Sequence, residues 1–287
     1  MMSPESRPAL FGIVNITEDS FSNGGRFLAT AAALEHARAL AAVGADVIDL
    51  GAAASNTDAK PVTSAEEIRR LEPLIAVLKA DGTPVSVDSF RAEVQRFAIT
   101  QGAAFLNDIQ GFPDPALYPE LAAAGCGLVV MHAVQGRGRA QRLELSPDAV
   151  WDRIATFFTE RIAALERAGV ARERIIIDPG MGFFLSSRPE ASLSVLARLG
   201  ELKRAFGLPV LVSVSRKSFL RALTGRSAAT ELGAATLAAE LYAAAQGADF
   251  IRTHDPGGLR DALRVGAALR AAASAADPGA DRGRPAD

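Results

Sequence analysis

One cysteine, Cys126, one tryptophan and two tyrosines are all that 287 residues contain of those types. A single thiol excludes an intrachain disulfide, and the expected setting is a reducing cytoplasm. No stretch reaches the roughly 18 uninterrupted apolar residues of a spanning helix, so no membrane segment is expected. No charged-then-apolar leader with a cleavage site opens the sequence, so no export signal is expected either. Neither sign of charge dominates: 31 Lys and Arg oppose 33 Asp and Glu, a net charge of −2. That balance argues against nucleic acid as a partner while leaving room for a local basic pocket. The three histidines fall in no HxH or HExxH spacing and no CxxC exists, which excludes a dedicated zinc or transition-metal cage.

What is present is a rhythm. Apolar runs end repeatedly in polar residues just before a loop and a helical stretch: VNITEDS (14–20), IDLG (48–51), SVDS (86–89), LNDI (106–109), VVMH (129–132), IIDPG (176–180), VSVSRKS (212–218) and IRTHD (251–255). Eight such units predict a (β/α)8 TIM barrel, an α/β single domain with its chemistry on the C-terminal face of the strands. The barrel is expected over 10–272, between a frayed, flexible N-terminus (1–9) and a Pro/Gly/Asp-rich disordered tail (273–287). Helices are expected near 30–43, 64–80, 91–101, 115–124, 147–168, 189–206, 230–246 and 256–272, the second opened by Ser64 with Glu67 completing a capping box. Loops 17–27 and 52–62 are long enough to serve as lids.

Asp88, Asn107 and Asp178 interrupt near-continuous apolar strands. A lone residue of this kind would read as a helix cap or a satisfied core group. Three at one level of neighbouring strands instead present two carboxylates and an amide, suited to a flat heterocycle with a guanidine-like or amide edge. Lys217, in SRKS, has three readings: a Schiff-base nucleophile, an ammonium for a ring carbonyl or phosphate, or a solvated loop charge. Ser215, Arg216 and Ser218 around it favour carbonyl or anion binding. Arg252 and His254, two apart at the end of strand 8, point to one side and form a phosphate-type clamp. Asn15, ending strand 1 beside strand 8, is placed to reach the same anion or its metal. Any Mg2+ would arrive with a phosphate substrate and keep most of its waters. His132, after Met131, has no carboxylate neighbour in sequence and reads as structural; His36 reads as a surface residue.

Taken in order, FGIVNITEDSFSNGGRF, IDLG, SVDS, LNDI, VVMH, DPGMGF, SRKSF and IRTHD resemble the signatures of the dihydropteroate synthases, from about Phe11 to Ala268. The resemblance implies condensation of a dihydropterin pyrophosphate with p-aminobenzoate, giving dihydropteroate and pyrophosphate, with Mg2+ as cofactor. It implies that Asp88, Asn107, Asp178 and Lys217 recognise the pterin, with Asp88, Asp178 and Lys217 carrying the catalysis. Asn15, Arg252 and His254 are implied for pyrophosphate and Mg2+, with Asn15 on the metal and Arg252 also stacking on the pterin. Ser218 is implied for p-aminobenzoate, and Asp19, Met131, Phe183 and Ser55 complete the implied substrate contacts. A homodimer is implied as well.

The second loop departs from the family's usual GGESTRPG: here it reads GAAASNTD (51–58), with Ala53, Ser55 and Asn56 for the usual Glu, Thr and Arg. Asn23 stands in the first loop where an Asp is common. This loop, with Met181, Phe183 and Phe184 after strand 6 and RKSFLRALTG (216–225), resembles members insensitive to sulfonamides. Two alternatives remain: a pterin-dependent methyltransferase on the same barrel, and a paralogue that binds pterin without catalysis.

Overall fold

The computed structural model describes residues 7–16, 26–53, 62–136 and 142–276. Asp19, Asn23, Ser55, Asn56 and Asp58 lie outside the described residues, as does 277–287. Eight strands form the sheet: β1 (Ala9–Asn15), β2 (Val47–Gly51), β3 (Val85–Asp88), β4 (Phe105–Asp108), β5 (Gly127–Met131), β6 (Ile175–Asp178), β7 (Leu211–Val212) and β8 (Phe250–Thr253). Every pairing is parallel, in the order β6-β5-β4-β3-β2-β1-β8-β7. The ends meet through a parallel bridge from Ile177 to Val210, with Ile177 N–H donating to the Pro209 carbonyl at 3.0 Å. The eight strands therefore form a nearly closed (β/α)8 TIM barrel.

Ten α-helices are described: α1 (Arg26–Val43), α2 (Ser64–Ala80), α3 (Ala92–Gln101), α4 (Tyr118–Ala123), α5 (Pro147–Arg167), α6 (Pro189–Ala197), α7 (Leu199–Phe206), α8 (Ser218–Thr224), α9 (Gly233–Ala245) and α10 (Pro256–Ala276). Among the described residues none is long and apolar enough to cross a membrane.

Strand alternation divides the barrel wall into two chemistries. Leu10, Ile48, Val87, Leu106, Val130 and Ile177 belong to the large cluster shared with the helices. The alternate set, Phe11, Val47, Val129, Ile176 and Leu211 with Phe105 and Phe250, forms a separate interior cluster. Its three rings meet edge to face, with centroids 5.1 Å apart for Phe11–Phe105 and 5.6 Å for Phe11–Phe250. Gly127 admits the Phe105 ring, because a Cβ there would come within 2.5 Å of it. Two residues further up β2, β4, β6 and β8 this apolar floor gives way to Asp49, Asn107, Asp178 and Arg252, while β1 and β5 stay apolar with Ile13 and Met131.

Several expectations need correction. Arg7 forms a two-point pair with Asp46 (2.6 and 2.7 Å), which also accepts from Leu10 N–H, so the frayed segment does not extend to residue 9. The α2 cap is Thr63, whose hydroxyl accepts from Glu66 N–H; Glu67 is drawn away to Ser89 and Arg91, and no Ser64–Glu67 box forms. The expected helix 189–206 divides at Arg198, which leaves helical geometry and lays its guanidinium 3.6 Å from the Trp151 ring centroid. The residues before α9 hold the extra short helix α8. α10 runs to Ala276, four residues past the expected boundary at 272.

Candidate active site

Register pairs Gly51 with Asp88 and Asp88 with Asn107. It then steps up two residues across β5, where Asn107 faces Val129 and Asp178 faces Met131, so the strand ends rise around one mouth. Because these positions lie two or four residues above the interior floor, their side chains point into the barrel mouth. There Asp88, Asn107, Asp178, Ser213, Lys217 and Arg252 line one cleft. Ile109, Met131, Met181 and Phe184 supply its apolar walls.

Asp178 is 2% exposed, and its Oδ1 accepts from Gly180 N–H at 2.8 Å. Gly180 turns there at φ +77°, and a Cβ would come within 2.5 Å of the His132 carbonyl, so this corner requires glycine. His132 braces the same corner: its Nδ1–H donates to the Pro179 carbonyl at 3.1 Å. Burial lowers His132 to about 4, which keeps it neutral and fixes that donor role. The reading of His132 as structural agrees with this placement.

Burial pushes Asp178 up to about 6, against the hydrogen bond from Gly180 and the nearby cations. Burial also lowers Lys217 to about 8, Arg252 adding to the effect while Asp178 and Asp88 oppose it. The Lys217 ammonium lies 5.1 Å from the Phe184 centroid, a cation–π contact on the wall of the cleft.

Arg252 does not join His254 as the sequence led us to expect. Its Nε donates to Asp49 Oδ2 at 2.6 Å and its Nη2 to Asp88 Oδ2 at 2.7 Å. Burial works against the Arg252 charge, but the two acids outweigh it and raise its pKa. Burial pushes Asp88 upward, against the pull of Arg252. Asp49 is fully buried one pleat below the cleft, and its Oδ1 has no hydrogen-bond partner. Sequence reasoning missed this residue; the available signal was an acid inside the apolar run VIDLG, which needs a buried cation.

His254 opens instead on an adjoining cavity, with Ser215, Arg216, Thr236 and Glu240. The Ser215 hydroxyl is hydrogen-bonded to His254 Nδ1 at 2.8 Å and accepts from His254 N–H at 3.3 Å. Burial first, then Arg216, Arg252 and Lys217, lower His254 to about 3. The imidazole is therefore neutral.

Asn15 is exposed at the mouth. A Cβ on the adjacent Gly51 would lie 3.4 Å from Asn15 Oδ1 and 3.9 Å from Asp88 Oδ2, so glycine keeps that approach open. Ser218 opens α8 beside Gly182, whose Cβ would lie 2.8 Å from its Oγ. Phe184 lines the cleft, whereas Phe183 stands at the rim with Arg142 over its ring at 5.4 Å. Asn107 Oδ1 and Ser213 Oγ, both buried, have no hydrogen-bond partner. Among the described residues no group of three or more His, Cys, Asp or Glu is arranged to hold a metal.

The cleft thus offers acceptors from two strands, an amide between them and an ammonium opposite. It is built for a flat ring carrying several N–H donors and a carbonyl. Comparison with known proteins agrees. The family described as pterin binding enzyme matches residues 11–254. Dihydropteroate synthase type-2 of Escherichia coli is 62% identical over 261 residues, 91% of this chain and 96% of the relative. Dihydropteroate synthase type-1 of Mycolicibacterium fortuitum is 55% identical, covering 90% of this chain and 91% of the relative. Among solved structures, Xanthomonas albilineans dihydropteroate synthase with 4-aminobenzoic acid superposes with TM-score 0.83 at 38% identity, covering 93% of this chain and 94% of that one. The same enzyme in complex with 7,8-dihydropteroate gives 0.80 at 38% identity, covering 93% and 95%. A cleft shaped for a pterin, on a barrel shared with these enzymes along almost its whole length, has one reading: the chain belongs to the dihydropteroate synthases.

Proposed function

We propose that the chain condenses 6-hydroxymethyl-7,8-dihydropterin pyrophosphate with p-aminobenzoate to give 7,8-dihydropteroate and pyrophosphate. The observation that carries this reading is the single cleft in which Asn107, with an unpartnered Oδ1, stands with Asp88, Asp178 and Lys217. The acids accept the pterin's ring and amino N–H groups, Asn107 donates and accepts, and Lys217 donates to the ring carbonyl.

Bond changes follow from that pose. The methylene C–O bond to pyrophosphate breaks, leaving positive charge on the pterin that ionised Asp178 stabilises across the ring. His254, neutral, donates Nε2–H to the departing anion, with Ser215 holding its tautomer. The p-aminobenzoate amine, seated near Ser218 and Met181, then forms the C–N bond. Its proton leaves to pyrophosphate or water, and no strong base is needed.

The donor set near Asn15, one amide oxygen at an open rim, fits Mg2+ held mainly by phosphate oxygens and water. Asn15 would hold the ion, which when bound neutralises charge on the leaving pyrophosphate. Asp19 and Ser55 are assigned to the same substrates through their loops, Met131 to the pterin wall and Phe183 to the aminobenzoate rim. A cytoplasmic homodimer completes the reading.

Turnover is tested by pyrophosphate release on mixing the two substrates; the methyl-transfer alternative releases none. Lys217→Ala removes a charged donor from the cleft. It is expected to cut kcat/KM by about 10- to 100-fold, the worth of one hydrogen bond to a charged group, in steady-state assays of both substrates.

The altered loop 51–58 and the Phe183–Phe184 rim support a second part of the proposal, insensitivity to sulfonamides. These mimic p-aminobenzoate but carry a bulkier sulfonyl tail, and a tightened rim rejects them by clash. Sulfamethoxazole should inhibit this enzyme at least about tenfold less than the Xanthomonas albilineans enzyme, a modest mismatch for a shaped pocket. Equal inhibition of the two would refute it.

A further inference from the structure

Gln95 lies on α3 between the buried apolar residues Val94 and Ala98, itself only 2% exposed. A buried amide at such a site is costly unless its donors are used. Both are. Nε2 donates to the Ser89 carbonyl at 2.8 Å and to Asp108 Oδ2 at 2.8 Å. Both partners can only accept, so the amide nitrogen must face them and the side chain has one orientation.

The two acceptors have a particular address. Ser89 follows Asp88 at the end of β3, and Asp108 follows Asn107 at the end of β4. Strand alternation turns Asp88 and Asn107 into the cleft and their successors outward toward the helices. Gln95 therefore joins, from outside the barrel wall, the exits of the two strands whose preceding residues face the pterin from within.

The surrounding bonds make this junction stiff. Ser89 N–H donates to the Asn107 carbonyl at 3.1 Å, and the Ser89 hydroxyl to Glu67 Oε2 at 2.7 Å. Asp108 is fully buried and also accepts from Gln110 N–H at 2.7 Å and Phe112 N–H at 3.0 Å. These bonds hold Phe112 at φ +60°, a left-handed conformation that a bulky residue adopts only under constraint. Ile109, a wall of the cleft, lies inside that constrained turn.

We propose that Gln95 is a positioning residue for pterin recognition, one that touches no substrate but fixes the spacing of Asp88, Asn107 and Ile109. This deepens the synthase reading and rests on it. Gln95→Met keeps the volume and removes both donors; Gln95→Asn keeps the donors but is a methylene too short to reach both acceptors.

The test is steady-state kinetics of these variants beside the unaltered enzyme, with melting temperatures to establish folding. Gln95→Met should raise KM for dihydropterin pyrophosphate about tenfold, the scale of a sub-ångström misplacement, while KM for p-aminobenzoate changes less than about twofold. Gln95→Asn should move the same constant in the same direction by less. In an Asn107→Ala background the Gln95→Met exchange should add clearly less than the full tenfold, because one of the three residues it positions is gone. A folded variant with normal pterin KM, equal rises for both substrates, or the full tenfold effect on Asn107→Ala would each overturn the proposal. If Gln95→Met does not fold, Gln95→Asn decides by the same criteria. Absence of pyrophosphate release by the unaltered enzyme would instead overturn the synthase reading.

Discussion

Asp178→Asn will cut turnover steeply and raise the melting temperature at neutral pH. The exchange keeps the oxygen that accepts from Gly180 N–H, removes the charge and turns the second oxygen into an NH2 donor. Loss of that charge from the developing cation should lower kcat by about 10²–10³, the usual cost of deleting one preorganised electrostatic contact. The stability gain follows from linkage. Burial has lifted Asp178 from an ordinary carboxylate value to about 6, so the ionised form opposes folding at pH 7. A shift of roughly two units corresponds to about 3 kcal/mol at most, and about 1–3 kcal/mol is the expected gain. Below about pH 4 the acid is protonated in both folded and unfolded states, and the variant's advantage vanishes. Thermal melts at pH 7.5 and pH 3.5 check both arms. A variant that melts earlier at pH 7.5 would show instead that ionised Asp178 is a net stabiliser through Lys217 and Arg252. In the unaltered enzyme, activity should fall as pH drops through 6.

Arg252→Met should produce a large effect of the opposite sign. The guanidinium is the shared partner of Asp49 and Asp88, and Asp49 is fully buried. Removing it leaves two carboxylates facing one another without compensation, a loss of about 3–5 kcal/mol for a broken buried pair. Urea denaturation should show the midpoint falling by that amount, and pterin turnover should fall with it. Adding Asp49→Asn to the same chain should recover part of the stability, because one of the two stranded charges is then gone. No recovery would mean that Arg252 contributes through packing of its stem and not through its charge.

The barrel was legible because eight polar-ended apolar runs recur along the chain, each before a helical stretch, and the parallel sheet brings their ends to one face. Asp88, Asn107, Asp178, Lys217 and Arg252 could therefore be gathered from the sequence and do line one cleft. Asp49 was not legible in the same way. It sits one pleat deeper, opposite Ser86 and not opposite a strand end, and its partner lies on β8, across β1. Local sequence carries no sign of a pair separated by 203 positions. His254 misled for a related reason: two-residue spacing fixes the side of a strand, but not how far a long arginine reaches below it. Helix caps failed where tertiary partners outbid local ones, as when Glu67 left Ser64 for Ser89 and Arg91. Gln95 carries no local signal of its role, because its two acceptors come from the ends of two other strands.

The herringbone of Phe11, Phe105 and Phe250 beneath Asp49 and Arg252 acts as a gasket. Among the described residues this apolar floor screens the charged layer from below, while the cleft above it faces the substrates. An arriving pterin therefore caps the well as well as filling it, and each fixed charge inside acts more strongly on the reacting methylene once the ring has closed the opening.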